Sequence, residues 1–244
     1  MERYDEATYG GRIADVYDEW FGENLGGETA VACLRQLAGP GPVLELGIGT
    51  GRLALPLADT GLHVEGIDTS ESMVARLRSK PGGRNIPVAI DNFAHVNVSG
   101  TFSLVFVAFN TFFALLSQEE QVECFRNVAR RLAPGGVFVI EAFVPDLGRF
   151  DRGQRTSVQS MDEQAIRIDV ARHDATAQRI STRHLMITED GIRFYPVELR
   201  YAWPAELDLM ARLAGMRLRN RWDNWRGEAF TSDSGAHVSI YEAA

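Results

Sequence analysis

Three carboxylates stand in or just after three short apolar runs: Glu45 within Val43-Leu44-Glu45-Leu46, Asp68 after residues 63–67, and Asp91 after residues 88–90. Between the first two lies Gly47-Ile48-Gly49-Thr50-Gly51, running on through Arg52 to Ala58. This reads as a buried strand, a glycine turn and the start of a helix. Glycines at 47, 49 and 51 let the backbone turn tightly and approach a ligand where a Cβ would collide. The following helix turns its free N–H groups toward the same place. Pro56 comes early enough to cost only a bond to the first turn. Ligands of parallel α/β sheets collect at the carboxyl ends of strands, where Asp68 can accept from both hydroxyls of a ribose. The chemistry so defined is capture of a nucleoside by fixed acceptors and bare backbone.

Two cofactor classes compete for such a corner. The dinucleotide fingerprint G-x-G-x-x-G/A fits Gly49, Gly51 and Ala54 but leaves Gly47 and Glu45 without a purpose. Read instead from Glu45 to Gly51, the turn is E-x-G-x-G-x-G, which resembles the first motif of the class I S-adenosylmethionine-dependent methyltransferases. Asp68 suits NAD and S-adenosylmethionine equally, whereas Asp91 separates them. The resemblance implies that Asp91 accepts from the adenine amino group, with Asn92 and Phe93 beside the ring. It implies that Thr69 and Met73, next to Asp68, complete the nucleoside site. The apolar run 102–108 ends in Phe109-Asn110-Thr111-Phe112-Phe113. There the resemblance implies that the backbone near Phe109 meets the cofactor's amino group and that Asn110 and Phe113 border the acceptor. Asn110 by itself reads equally as a turn former. His95 shows no partner and reads as a surface residue. Ala133-Pro134-Gly135-Gly136 is similar to the turn that precedes strand five in the same family.

The positioning elements follow. In 12–21 the spacing of Ile13, Val16, Tyr17, Trp20 and Phe21 predicts a one-faced helix. Tyr9-Gly10-Gly11…Tyr17-Asp18 resembles the N-terminal helix of small-molecule methyltransferases, which implies that Tyr9 and Tyr17 reach the cofactor. Residues 24–27 are a break, and a helix over 28–37 leads to the first strand. Ser70 caps a helix with Glu71 in its first turn. Beyond 143, helical periodicity gives way to β-type runs at 165–171, 179–187 and 193–203, with Glu189-Asp190-Gly191 as a hairpin turn. Pro204 opens a helix at its first position, and strands at 216–222 and 237–242 close the chain.

The expected fold is α/β: a Rossmann-like seven-stranded methyltransferase sheet, mostly parallel with a closing antiparallel hairpin, and an antiparallel β insertion after strand five. Residues 1–244 read as a single domain. Within it, 1–38 are an N-terminal helical lid, 39–143 and 204–244 the cofactor-binding core, and 144–203 the insertion on the substrate side. Substrate candidates are Phe113, Phe143, His184, Tyr195 and Arg200. An exposed edge within 165–202 is free to pair across a homodimer.

The net charge of −8 argues against nucleic acid and anionic membrane as partners. No apolar run approaches a membrane span, no signal pattern opens the chain, and the expected location is cytoplasmic. Cys33 and Cys124 read as buried free thiols, and no metal is expected. The single lysine, Lys80, reads as a reflection of genome composition.

With S-adenosylmethionine as cofactor and S-adenosylhomocysteine as product, an enzyme must mainly hold nucleophile, methyl and sulfur in line. Tyr9, Tyr17 and Asn110 are the expected positioning residues, with no assigned general base. The loop after strand four carries no titratable side chain, which favours an amine of a small molecule or short peptide as acceptor. An O-methyltransferase acting on a hydroxyl would need a base from elsewhere, for which His184 and His237 are the available candidates; a carboxylate is ionised already. A non-catalytic cofactor-binding subunit and a nicotinamide oxidoreductase are the remaining alternatives.

Overall fold

The structure, a computed structural model, describes residues 8–21 and 27–244. Most of the expected break at 24–27 lies outside them, as does the side chain of Tyr9. In chain order the elements are helices α1 (Thr8–Ile13), α2 (Tyr17–Phe21) and α3 (Gly27–Ala38), strand β1 (Val43–Leu46), α4 (Ala54–Asp59), β2 (Val64–Asp68), α5 (Glu71–Ser79), β3 (Val88–Ile90) and β4 (Phe102–Val107). Then come α6 (Gln118–Arg131), β5 (Leu132–Phe143), β6 (Gln154–Met161), β7 (Ala165–Asp174), β8 (Arg179–Thr188), β9 (Gly191–Arg200), α7 (Pro204–Leu213), β10 (Met216–Trp222) and β11 (Ala236–Ala243).

Seven strands form one sheet in the order β10-β11-β5-β4-β1-β2-β3. The pairs among β1 to β5 are parallel, and β11 runs antiparallel to both β5 and β10. Alternation decides which side chain faces which layer. Leu104 and Phe106 of β4 pack with Val137 and Val139 of β5 against Ala30, Leu34 and Ala38 of α3. Val105, Val107, Phe138 and Ile140 pack the other way, onto Cys124, Phe125 and Val128 of α6 and Leu207 and Met210 of α7. Burial on both faces is why these strands read as unbroken apolar runs. Strand order reverses at β1, whose neighbours are β2 and β4. Such a reversal opens a crevice beyond the carboxyl ends of the strands.

Helix ends follow local chemistry. Ser70 Oγ accepts from the Met73 N–H at the start of α5, and Ser117 and Glu120 form a reciprocal capping box on α6. Pro56 is the third residue of α4, where its missing N–H has no intrahelical partner to lose.

The structure departs from the sequence reading in three places. The stretch read as one helix over 12–21 is two short helices joined by a turn at 14–16. Gly10 lies so close to α5 that a Cβ there would come within 2.5 Å of Ser70 Cβ, and Asp15 pairs with Arg76. The turn lets α1 lie on α5 while α2 crosses the glycine turn. Secondly, the insertion is a four-stranded antiparallel sheet in the order β6-β7-β8-β9. Its first strand, β6, is mostly polar and exposed, so it carries no apolar alternation to read. Thirdly, β5 begins at Leu132, because Leu132 pairs with Phe102 before the register shifts to Leu104 opposite Val137. The Pro134-Gly135 turn is thus an exposed bulge within a strand. The hairpin between β8 and β9 sits as read, with Thr188 opposite Gly191. Cys33 is half-buried rather than buried, and both thiols are free. Among the described residues no helix is long and apolar enough to cross a membrane.

Candidate functional site

The crevice at the strand reversal begins with the turn after β1. The N–H groups of Gly47 and Ile48 both donate to Ile67 O, at 2.8 and 3.0 Å, which ties the turn to β2. Gly47 has φ +71°, and a Cβ there would meet Thr111 Cγ2 at 2.4 Å. Only glycine lets the loop after β4 close onto this turn. Asp68 Oδ2 accepts from the Gly49 N–H at 2.7 Å and Oδ1 from the Ser70 N–H at 2.8 Å. Burial raises its carboxyl above the usual range, and the two N–H groups oppose that rise. Glu45 is buried, and among the described residues its Oε2 has no hydrogen-bond partner. Burial pushes it up to about 8, with Arg52 opposing and Asp68 adding to the rise. A buried acceptor left unpaired is costly, so this oxygen calls for a donor from a ligand.

Over the turn lies α2. Asp18 accepts from Thr50 Oγ1 at 2.6 Å and lies 2.8 Å from Lys80 Nζ, which also donates to Thr50 O. The lone lysine therefore fastens the N-terminal segment to the glycine turn. Burial pushes the Tyr17 phenol up to about 12, with Arg52 lowering and Glu45 raising it. The rings of Tyr17, Phe21 and Phe109 form a chain with centroids 5.2 and 5.3 Å apart, and the Arg52 guanidinium lies 5.5 Å from the Phe109 ring.

The third wall is the loop after β4. Phe109 and Asn110 hold φ of 55° and 65°, a left-handed pair of non-glycine residues that costs about 1–3 kcal/mol per residue. Glu141 of β5 holds them there. Its Oε2 accepts from the Phe109 N–H at 2.8 Å, its backbone oxygen from the Asn110 N–H at 3.1 Å, and its Oε1 from Trp225 Nε1 at 2.6 Å. Asn110 Oδ1 in turn accepts from the Phe143 N–H at 2.7 Å.

These walls enclose a cavity of about 330 Å³. It is lined by Tyr17, Glu45, Gly47, Gly49, Asp68, Thr69, Met73, Asn92, Phe93, Phe109 and Asn110 among the residues expected to bind cofactor. His184, Val197, Glu198 and Leu199 of the four-stranded sheet close the opposite side. His184 Nδ1 lies 2.5 Å from Asp169 Oδ1.

The remaining candidates lie elsewhere. Gly51 backs onto Leu77. Asp91 sits behind Asn92, whose N–H its Oδ1 accepts at 2.7 Å. Burial acts to raise its carboxyl, but that bond together with His95 and Asn97 outweighs it and holds Asp91 below the usual range. His95 thus has a partner, 3.5 Å away, which the sequence reading did not foresee. Phe113 is fully buried against Phe112 and Phe143. Phe143 lines a smaller neighbouring cavity of about 160 Å³, together with Asp169 and Leu199. Tyr195 packs edge-on to Trp20 with centroids 4.9 Å apart. Arg200 is buried and committed to Gln121 at 2.6 Å, Gln178 at 3.1 Å and Glu206 at 2.8 Å, which makes it a tie from β9 to α6 and α7. His237, a candidate base, is fully buried with Nδ1 2.8 Å from Ser239 Oγ and does not line the cavity. Burial pulls it down to about 4.

Residues 43–136 match the family profile described as "Methyltransferase domain". The CcbJ methyltransferase from Streptomyces caelestis superposes with a TM-score of 0.93 at 43% identity, over 99% of this chain and 100% of that one. The chain belongs to the class I S-adenosylmethionine-dependent methyltransferases. The cypemycin N-terminal methyltransferase of a Streptomyces species is 27% identical over 201 residues, 82% of either chain. The sugar N-methyltransferase KedS8 from Streptoalloteichus sp ATCC 53650 shares the fold, with a TM-score of 0.69 at 19% identity over 98% of this chain and 96% of that one.

Within this methyltransferase, residues absent from the sequence reading of the site line or support the cavity: Arg52, Phe21, Glu198, Asp169 and Glu141. Arg52 adjoins the glycine motif, so its position was visible. Glu141 reads as one polar residue inside an apolar strand, a signal that was available. The Asp169–His184 pairing depends on the register of β7 against β8 and had no signal in sequence spacing.

Proposed function

We propose that this methyltransferase transfers the methyl of S-adenosylmethionine to an amine of a small molecule or short peptide in a natural-product pathway. The observation that carries the reading is the buried, unpaired Glu45 Oε2 in a cavity whose far wall is the four-stranded sheet. One end of the cavity suits the cofactor and the other an acceptor. The name of the cypemycin relative, an N-terminal methyltransferase, supports an amine.

In this reading Glu45 takes the cofactor's ammonium, Arg52 its carboxylate, and Asp68 the ribose hydroxyls. Asn92 and Phe93, with Thr69 and Met73, surround the adenine, and Asp91 holds Asn92 from behind. When bound, the cofactor supplies a methyl already activated on a sulfonium sulfur. The chain's own work is then alignment and exclusion of water. Tyr17, held protonated by burial, presents a neutral hydroxyl toward the positive methyl, and Tyr9 is proposed to do the same. Residues 8–21 act as the lid, 39–143 and 204–244 as the cofactor core, and 144–203 as the acceptor side. A second reading, O-methylation of a hydroxyl, is favoured by one observation: His184, braced by Asp169, lines the cavity.

Incubating the protein with S-adenosylmethionine and either tetra-alanine or glucosamine should give a product heavier by one methylene and modified at nitrogen, read by mass spectrometry. Modification at oxygen alone would sink the amine reading. Cofactor binding should also release protons. A carboxyl titrating at about 8 keeps most of its proton at neutral pH, and an arriving ammonium favours the ionised form. Calorimetry in two buffers of different ionisation heat at pH 7 should therefore show net proton release, absent in Glu45→Gln. Equal heats in both buffers would remove Glu45 from the ammonium site.

A further inference from the structure

We infer that His184, oriented by Asp169, is the base that takes the proton from the acceptor; this rests on the amine reading above. At neutral pH most aliphatic amines are ammonium ions with no free electron pair, so a methyltransferase acting on one must remove a proton. Inside the described cavity wall the histidine is the side chain suited to that transfer.

The geometry comes from cross-strand register. Asp169, His184 and Tyr195 are direct partners on β7, β8 and β9, so all three project from one face of the sheet. With Asp169 as acceptor, the 2.5 Å contact fits a hydrogen on Nδ1, and in the neutral ring of that tautomer Nε2 carries the lone pair. Trp20 of the lid lies edge-on to the imidazole at 6.4 Å, which restricts it from the other side. His184 lines the larger cavity while Asp169 lines the smaller one, and Leu199 borders both. The pair thus stands where an acceptor seated along the four-stranded sheet would pass its amine toward the glycine turn.

Asp146, Arg149 and Arg155 line the smaller cavity together with Asp169. Arg167 of β7 stacks on Trp20 at 4.9 Å. Arg183 on the histidine's own strand pairs with Glu198 of β9 at 3.0 Å. On α2, Asp18 is engaged by Lys80 and Thr50, and Glu45, Asp68, Arg52 and Tyr17 lie across the cavity. In the step, an ammonium N–H bond breaks, the proton goes to Nε2 and the electron pair stays on the amine nitrogen. The imidazolium then returns the proton to water, which its side-chain exposure of 20% permits.

The test pairs His184→Gln and Asp169→Asn with tetra-alanine and glucosamine as acceptors, after calorimetry has shown that each variant binds S-adenosylmethionine as the wild type does. At pH 7 we expect kcat/KM for the acceptor to fall about 10²-fold in His184→Gln and less in Asp169→Asn. Near about pH 9.5, where free amine is abundant, both should recover most of the loss. Nitrogen-15 NMR of the wild-type side chain should show the Nδ1–H tautomer, lost in Asp169→Asn. A loss equal at both pH values, a His184→Gln rate within threefold of wild type at pH 7, or an Nε2–H tautomer would each overturn the base. No methylation of either amine by the wild type, with cofactor bound, would instead overturn the amine reading beneath it.

Discussion

Asp68→Ala should raise the dissociation constant for S-adenosylmethionine by about 10³-fold, read by calorimetry. Among the described residues the carboxylate makes no ion pair; its two oxygens hold the Gly49 and Ser70 N–H groups and have lone pairs left over. Two hydrogen bonds from ribose hydroxyls to a charged acceptor contribute about 1.5–3 kcal/mol each. Together they amount to about 10²- to 10⁴-fold in affinity. Loss of the carboxylate also frees the glycine turn, since Gly49 loses its anchor to the end of β2. Asp68→Asn keeps one acceptor oxygen and should fall between the two. A variant Asp68→Ala that binds within threefold of wild type would move the ribose elsewhere.

Glu141→Ala should both destabilise the protein and cripple turnover. It strands two donors, the Phe109 N–H and the Trp225 indole N–H, at about 1–3 kcal/mol each when buried. It also removes the side-chain brace on Phe109, the first of two consecutive left-handed residues, while the backbone bond to Asn110 remains. A net loss of about 2–4 kcal/mol corresponds to a melting temperature lower by about 5–15 °C at this chain length. Trp225→Phe, which strands no donor and leaves the Phe109 bond intact, should cost less. Turnover should fall further than stability explains, because Phe109 and Asn110 form the cavity wall next to α2. Differential scanning calorimetry and product formation measured on the same preparations check both parts. An unchanged melting temperature would mean that the loop keeps its shape without Glu141.

The two effects differ in kind. Asp68 acts, in the proposed site, where the ligand would touch the protein, and its oxygens are organised by the Gly49 and Ser70 N–H groups. Glu141 acts one layer behind, and its contribution is to hold a strained backbone in place. Lys80 belongs to a third class, since its bonds to Asp18 and Thr50 link the N-terminal segment to the glycine turn.

Much of this architecture was legible in the residues alone. The turn Glu45–Gly51, the acid at the end of β2, the apolar run of β4 and the proline opening α7 each express a local rule: conformational freedom, alternation or capping. Local rules operate between near neighbours, so spacing reveals them. The same holds for the seven-stranded sheet, whose double-sided burial dictates apolar strands. Three features were settled only by the tertiary structure. The N-terminal segment breaks at 14–16 because Gly10 packs on Ser70 and Asp15 meets Arg76, contacts more than fifty residues distant in sequence. The polar strand β6 exists because β7 pairs with it, and no apolar face announces it. Arg200 and His184 looked alike as polar residues on neighbouring strands. Register sends one into a buried tie with Gln121 and Glu206 and the other to the cavity wall beside Asp169. A strand's alternation tells which residues share a face, but only its partners determine what that face meets.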